Sequence, residues 1–473
     1  MQWFAQFGLT EELLRQVLGD ALGRGGDDAD LYFEHLNATS VSLSDGKVNR
    51  ASTNVDLGLG VRVVVGDAVG YAYTEDLSVA AMRETAQVAA EIAAGGRPRD
   101  VARIGSRGPG AGYASRYAVK TPWEQVDMAT RVGMVRTWEQ TTFARDNRVK
   151  KVETMMADTQ KHILIVRPDG RMVYDYQPMT RAFVSVTAEE NGKKESSMAN
   201  IAQRQGLEFY SPANVDYLVK KAIDDTMILF EAGKPPAGEM TVVLGAGSSG
   251  ILLHEAIGHG LEADFNRKGI SIYADKLGQR IAPKGVTVVD DGTLPYARGT
   301  INTDDEANPA EKTVLIEDGI LKSYLHDEIS AKHYKVAPTG SGRRESFRSP
   351  VLPRMRATYM ENGAFTPEEI IASVKTGIYC STFSNGQVQI GAGDFAFYVR
   401  HGYLIEDGKL TRPIKDVNII GNGPKVLETV QMVGNDLQID IGGWTCGKDG
   451  QSVPVSQGMP TVKVDKLSVG GAS

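Results

Sequence analysis

Two histidines five positions apart, in His254-Glu255-Ala256-Ile257-Gly258-His259, constrain the backbone more tightly than any other feature of this chain. The pattern is one residue longer than His-Glu-x-x-His, the helical signature in which two imidazoles share a zinc ion. On an α-helix, residues four apart lie on one face, whereas residues five apart are turned roughly 140° from each other. The rings can meet at one metal only if the helix absorbs an extra residue, as in a π-bulge. Gly258, just before His259, is the residue type that tolerates such a distortion. Glu255 would then stand beside the metal as a general base. With only seven histidines in 473 residues the pattern is unusual, but spacing alone fits equally well a helix with two structural histidines.

The cysteines sharpen the choice. There are two, Cys380 and Cys446. The N-terminal Met1-Gln2-Trp3-Phe4-Ala5-Gln6-Phe7 has neither the basic region nor the apolar core of a signal peptide. No run approaches the roughly 20 apolar residues of a membrane-spanning helix. A cytoplasmic protein is expected, in which cysteines serve metal binding, catalysis or packing rather than disulfides. Cys446 lies in the glycine-rich Ile441-Gly442-Gly443-Trp444-Thr445-Cys446-Gly447, a loop able to approach another element closely. Cys380 ends an apolar segment and resembles core packing, though it stays an alternative. His254, His259 and one thiolate, with a fourth position open, would make a catalytic zinc site.

Local signals sketch an α+β protein. Thr10 caps an expected helix over 11–23. Strands are expected at 29–36, 40–43, 57–65 and 68–73, with a hairpin turn at Gly66-Asp67. An alanine-rich helix begins near Asp76 and stops before Gly95-Gly96-Arg97-Pro98, and a connector follows over 95–112. Thr121-Pro122-Trp123-Glu124 matches a capping box. Strands are then expected at 149–158, 161–167, 172–176 and 180–189, and a helix at 212–231. Gly233 to Gly238 is the best boundary. It divides an N-terminal αβ region, 1–236, with helices on an antiparallel sheet and a sub-boundary near 95–119, from a strand-rich C-terminal domain, 237–473, that carries the metal-binding helix. Gly245-Ala246-Gly247-Ser248-Ser249-Gly250 reads as a strand-to-helix turn capped by Ser248 or Ser249, not a phosphate loop. Asp-Gly pairs at 291–292, 318–319 and 407–408 divide later strands, and Thr366 opens one late helix.

Three stretches carry a resemblance. They are His254 to Asn266; Gly340-Ser341-Gly342-Arg343-Arg344-Glu345-Ser346-Phe347 with the following 350–355 run; and Gly443-Trp444-Thr445-Cys446-Gly447. Together with Ser40 to Tyr73 they resemble the TldD branch of the TldD/PmbA (TldE) metalloprotease family over nearly the whole length. The resemblance implies a zinc-dependent peptidase with one zinc per chain, held by His254, His259 and Cys446, with Glu255 as base. It also implies unfolded proteins or peptides as substrates, including leader peptides of modified peptide antibiotics. Dimers are implied too, either of this chain or with a metal-free PmbA/TldE-like paralogue.

The competing expectation is a non-catalytic, zinc-stabilised peptide-binding or regulatory partner protein, which the family's older association with DNA gyrase would favour. A net charge of −7 with no basic run gives no support to a nucleic-acid surface. Glu262 is a candidate partner for a ligand histidine, or simply a solvated glutamate. Arg343 and Arg344 could grip a substrate carboxylate or form a surface salt bridge. His326 and His333 are expected to be structural.

Overall fold

The computed structural model describes residues 2–93, 101, 105–106, 115–389 and 392–471. The expected stop at 95–98 and most of the 95–112 connector lie outside these residues.

The first half is built on long antiparallel strands: β1 (Asp28–Ser44), β2 (Lys47–Val65), β3 (Ala68–Thr74), β4 (Val149–Val166), β5 (Arg171–Glu190) and β6 (Lys193–Gln203). They lie in the order β3-β2-β1-β4-β5-β6. The hairpin at Gly66-Asp67 forms where expected, and Pro168-Asp169-Gly170 turns the chain from β4 to β5. Several strands are longer than their sequence suggests, because β1 and β4 are each paired on both sides and run straight through polar stretches such as Asn37 to Thr39.

Side chains alternate across this sheet with period two. Leu31 and Phe33 of β1 and Leu164 and Val166 of β4 face a core with helices α1 (Glu11–Leu22) and α2 (Val79–Ala93). Helices α3 (Met128–Arg145) and α4 (Pro212–Glu231) pack beside Val41, Val184 and Ile201. Tyr32, Ile163 and Ile165 meet Ala307 and Phe347 of the second half instead. Thr10 caps α1 as expected, and Ser211 caps α4. The capping box at Thr121 does not form. Glu208 takes the backbone N–H groups of Lys120 and Thr121, and Asp127 caps α3.

The second half holds two sheets. Strands β7 (Gly238–Leu244), β11 (Thr376–Gln389), β12 (Asp394–Glu406), β13 (Lys409–Asn422), β14 (Val430–Val433) and β18 (Val462–Gly471) are ordered β13-β12-β11-β7-β18-β14, and a β13–β18 pairing curls this sheet into a barrel. The other sheet includes β8 (Val288–Asp291), β9 (Lys312–Glu317), β10 (Ala357–Met360) and β17 (Ser456–Met459). A separate hairpin, β15 (Thr445–Lys448) with β16 (Gln451–Pro454), carries Cys446. The mixed α+β architecture and the strand-rich second half are as expected. Asp318-Gly319 and Asp407-Gly408 form hairpin turns, and Thr366 caps its helix with a complete capping box.

Buried ions join the halves. Asp30 on β1 meets Arg62 on β2 and Arg344, whose Nη2 lies 2.7 Å away; all three side chains are fully enclosed. Burial alone would push the Asp30 carboxyl up, but Arg62, Arg344 and Arg167 outweigh it and hold it at about 2. Arg344 is therefore a buried crosslink rather than a surface ion pair. Replacing it (Arg344→Met) should cost about 3 kcal/mol in unfolding measurements, the lower end for a broken buried pair because Arg62 still faces Asp30. An unchanged unfolding midpoint would show that the crosslink contributes nothing.

Candidate metal centre

Strand β7 ends in the Gly245–Gly250 turn. Gly247 takes φ 86°, open chiefly to glycine, and its N–H bonds the Met459 carbonyl. Neither serine caps the segment that follows; Ser249 Oγ instead donates to the Gly245 carbonyl. After one short helical turn (Ile251–Leu253) the chain is π-helical over His254–Gly258, and the His259 N–H bonds the His254 carbonyl, five residues back. Ile251, Leu252, Leu253, Ala256, Ile257 and Leu261 bury this segment in the core of the second half.

The π-turn forms, but the expected role of Gly258 is corrected. Its φ of −58° is ordinary helix, which any residue adopts. What glycine supplies is space, since a Cβ there would stand 2.0 Å from Sδ of the fully buried Met355.

The turn brings the two imidazoles together with centroids 5.2 Å apart and planes near perpendicular. Cys446 arrives from the β15–β16 hairpin, its Sγ 3.4 Å from His259 Nε2. One ligand atom from each of His254, His259 and Cys446 lies within 4.8 Å of the others, and all three residues are buried. Cys380 is not in this group. It sits in β11, and burial pushes its thiol well up. Burial also pushes the Cys446 thiol up, but His254 and His259 outweigh it and hold it well below the ordinary value. The sulfur is thus disposed to be a thiolate.

A second ring of polar groups fixes the first. His259 Nδ1 lies 3.0 Å from Glu262 Oε2, so Glu262 is a buried partner of the imidazole and not a solvated side chain. Burial raises the Glu262 carboxyl, yet Lys448 and His259 outweigh it and hold it at about 2. Lys448 Nζ also bonds Asp264 at 2.7 Å, and Arg354 donates to the Cys446 carbonyl. Sequence reasoning missed Lys448, Asp264 and Arg354. A signal for Lys448 existed, since a residue two places after Cys446 on a strand shares its face. Glu255 differs from the others in reaching solvent, with its side chain 19% exposed and Oε2 3.9 Å from His259 Nε2.

His326 packs against Tyr324 and Tyr334, and burial lowers its pKa to about 4. His333 stacks edge-on against Tyr334. Neither belongs to the group of potential metal ligands among the described residues. Arg343 is buried and donates to the Met355 and Pro454 carbonyls.

Family models for PmbA/TldA metallopeptidases match three stretches: domain 1 over 29–93, the central domain over 121–230 and the C-terminal domain over 237–471. The chain belongs to the TldD/PmbA metallopeptidase family. It is 38% identical to a protein named metalloprotease TldD homolog from Haemophilus influenzae, across 98% of this chain and 97% of that one. A zinc metalloprotease TldD homolog from Saccharolobus solfataricus is 34% identical over 50% of this chain and 53% of its own. Among solved structures, a putative modulator of DNA gyrase from Thermotoga maritima superposes with TM-score 0.78 at 20% identity, covering 97% of this chain and 99% of that one. TldE from Thermococcus kodakarensis gives 0.75 at 18% identity, covering 98% and 99%. At such identities these two likenesses speak for the fold.

The Gly258–Met355 contact makes a direct prediction. Gly258→Ala should destabilise the protein by about 1–3 kcal/mol, and combining it with Met355→Ala should cost clearly less than the two changes summed. Additive costs in chemical denaturation would exclude that contact as the reason for glycine.

Proposed function

We propose that this protein is a zinc-dependent peptidase in which His254, His259 and Cys446 hold one zinc ion and Glu255 is the general base. The observation that carries this is the convergence of two imidazoles and a thiol within 4.8 Å, beside a carboxylate that reaches solvent. The residues fit zinc. Two nitrogens and a thiolate are a zinc donor set, and three protein ligands leave a position open, as catalytic sites do. The buried His254 Nδ1 has no hydrogen-bond partner among the described residues, so no neighbouring side chain ties this imidazole down there. When bound, zinc supplies Lewis-acid chemistry, acidifying water and polarising a peptide carbonyl.

The side chains divide the remaining work. Glu255 takes the proton of the attacking water and returns it to the departing amine nitrogen, so no net proton is consumed in the step. Glu262 accepts the Nδ1–H of His259 and so turns Nε2 towards Cys446. Lys448 keeps Glu262 ionised in a buried setting.

Unfolded proteins or peptides are the proposed substrates, leader peptides of modified peptide antibiotics among them. The working unit is proposed to be a dimer, of this chain or with a metal-free paralogue, and the shared fold of the archaeal TldE supports a like-folded partner. The division at 236/237 is kept as a proposal, with the long sheet before it and the barrel after. A cytoplasmic setting accords with two cysteines that are both unpaired, and no helix among the described residues is long and apolar enough to cross a membrane. The alternative, a structural zinc in a regulatory partner, would be favoured by a fourth protein ligand. Among the described residues the metal-ligand group has three members.

Metal content by mass spectrometry, paired with a peptidase assay, tests this. Wild type should carry about one zinc per chain, and His254→Ala and Cys446→Ala should lose it. Glu255→Gln should keep the metal while kcat falls about 10²–10⁴-fold. Zinc retained without Cys446, or an unimpaired Glu255→Gln enzyme, would sink the assignment.

A further inference from the structure

The β15–β16 hairpin has two faces. Cys446, Lys448 and Val453 turn inward, while Thr445, Ser452 and Pro454 line a cavity of about 320 Å³ on the other side, walled also by β4 and β5. Four arginines converge on this cavity: Arg181, Arg204, Arg298 and Arg343. Lys161 and Arg344 line it too, but they pair with Glu34 and Asp30.

Among the described residues, no carboxylate lies within ion-pair distance of the four. Arg298 and Arg343 donate to main-chain carbonyls of Trp444, Met355 and Pro454. Arg204 is 2% exposed, its Nε has no hydrogen-bond partner, and its guanidinium lies over the Tyr117 ring. Arg181 sits nearer solvent, against Gly443. Three acids share the cavity. Asp158 is spent on Arg131, Asp305 accepts the Arg344 N–H, and Glu345 is exposed.

Collecting like charges in a partly dry cavity is unfavourable unless something neutralises them. We propose that the cavity binds a carboxylate carried by a peptide. Guanidinium forks match a planar carboxylate in a two-pronged pairing, and Met179, Ile301 and Pro454 offer apolar wall to the residue that bears it. Asp305 within the same cavity disfavours a dianion such as phosphate. The volume is at the lower end for a ligand pocket and has room for the terminal residue or two of a peptide. Because Thr445 and Cys446 face opposite ways, the carboxylate is held across the ribbon from the metal centre and anchors the peptide away from the scissile bond. That the carboxylate belongs to a peptide rests on the peptidase proposal.

Equilibrium binding to the full-length Glu255→Gln protein, followed by fluorescence anisotropy, tests the site without consuming the probe. Three labelled decapeptides are compared: one with a free C-terminal carboxylate, the same sequence as a carboxamide, and the carboxamide with one internal glutamate. The free acid should bind about tenfold or more tightly than the amide, and Arg204→Gln should remove the difference. Since Arg204 is buried, Arg181→Gln at the rim is measured in parallel and should reduce it in a protein of unchanged thermal stability. Tight binding by the glutamate peptide, abolished by the same substitutions, supports the site and assigns the carboxylate to an acidic side chain. Equal binding of acid and both amides, no binding of any, or a preference that survives both substitutions overturns it. Cleavage by wild type is scored separately: an intact carboxylate preference with no hydrolysis of any peptide removes the peptidase reading and leaves the anion site standing.

Discussion

The geometry of the candidate metal centre depends on one main-chain hydrogen bond, from the His259 N–H to the His254 carbonyl. In a regular α-helix that donor would reach the residue at 255, and the two rings would point apart. The longer loop puts both imidazoles on the side where Cys446 arrives. An isolated π-turn is poorly stable and is found mostly as a single turn within a helix, so neighbours must hold it. Two of them approach so closely that a side chain has no room. Met355 presses on Gly258, and Gly423 lies where a Cβ would stand 2.2 Å from the Ala256 carbonyl oxygen. The turn is clamped from both sides by parts of the chain roughly a hundred residues or more away.

Charge in the interior is managed by delivering counter-ions on the same elements that deliver the donors. Strand β15 places Cys446 and Lys448 on one face, two residues apart. The hairpin therefore brings the thiol to His259 and, in the same movement, the ammonium to Glu262 and Asp264. Burial alone would push the Glu262 carboxyl up and weaken it as an acceptor for His259. The Lys448 ammonium and the imidazole together reverse that. Orientation of the imidazole, ionisation of its carboxylate and approach of the sulfur thus rest on one short β-ribbon.

The features legible in the sequence were those set by local chemistry. Caps at Thr10 and Thr366 and the Asp-Gly turns at 318–319 and 407–408 need only their own neighbours, and they form. If His254 and His259 share a metal their spacing requires a π-turn, which is present, and the glycines around Cys446 favour it over Cys380 as the thiol that approaches. What failed depended on partners distant in sequence. Asn37 to Thr39 looks like a break until strands bind on both sides of it. Thr121 loses its capping role because Glu208 takes the nearby amides. Gly258 supplies space rather than backbone freedom, and the crowding by Met355 that requires it has no local signature. Arg204 and Arg298 carry no motif at all; their meaning lies in the other arginines they meet and in the absence, among the described residues, of a carboxylate within ion-pair distance.

The long sheet of the first half is more than a neighbour to this chemistry. Its edge strand β6 accepts and donates where the chain approaches the Cys446 hairpin: the Ala202 N–H bonds the Ile441 carbonyl, and Asn200 Oδ1 accepts the Gly443 N–H at 2.5 Å. A Cβ at Gly443 would meet the Arg181 side chain of β5. Three residues further on comes the thiol. A glycine-rich stretch such as 441–443 has high conformational entropy when free, and a donor at its end would be poorly placed. Tethering it to a sheet edge removes that freedom before any ligand binds. The position of Cys446 relative to His259 is therefore set by both halves, and the buried Asp30–Arg344 pair, which holds the halves together at another point, bears on the geometry of the centre as well as on stability.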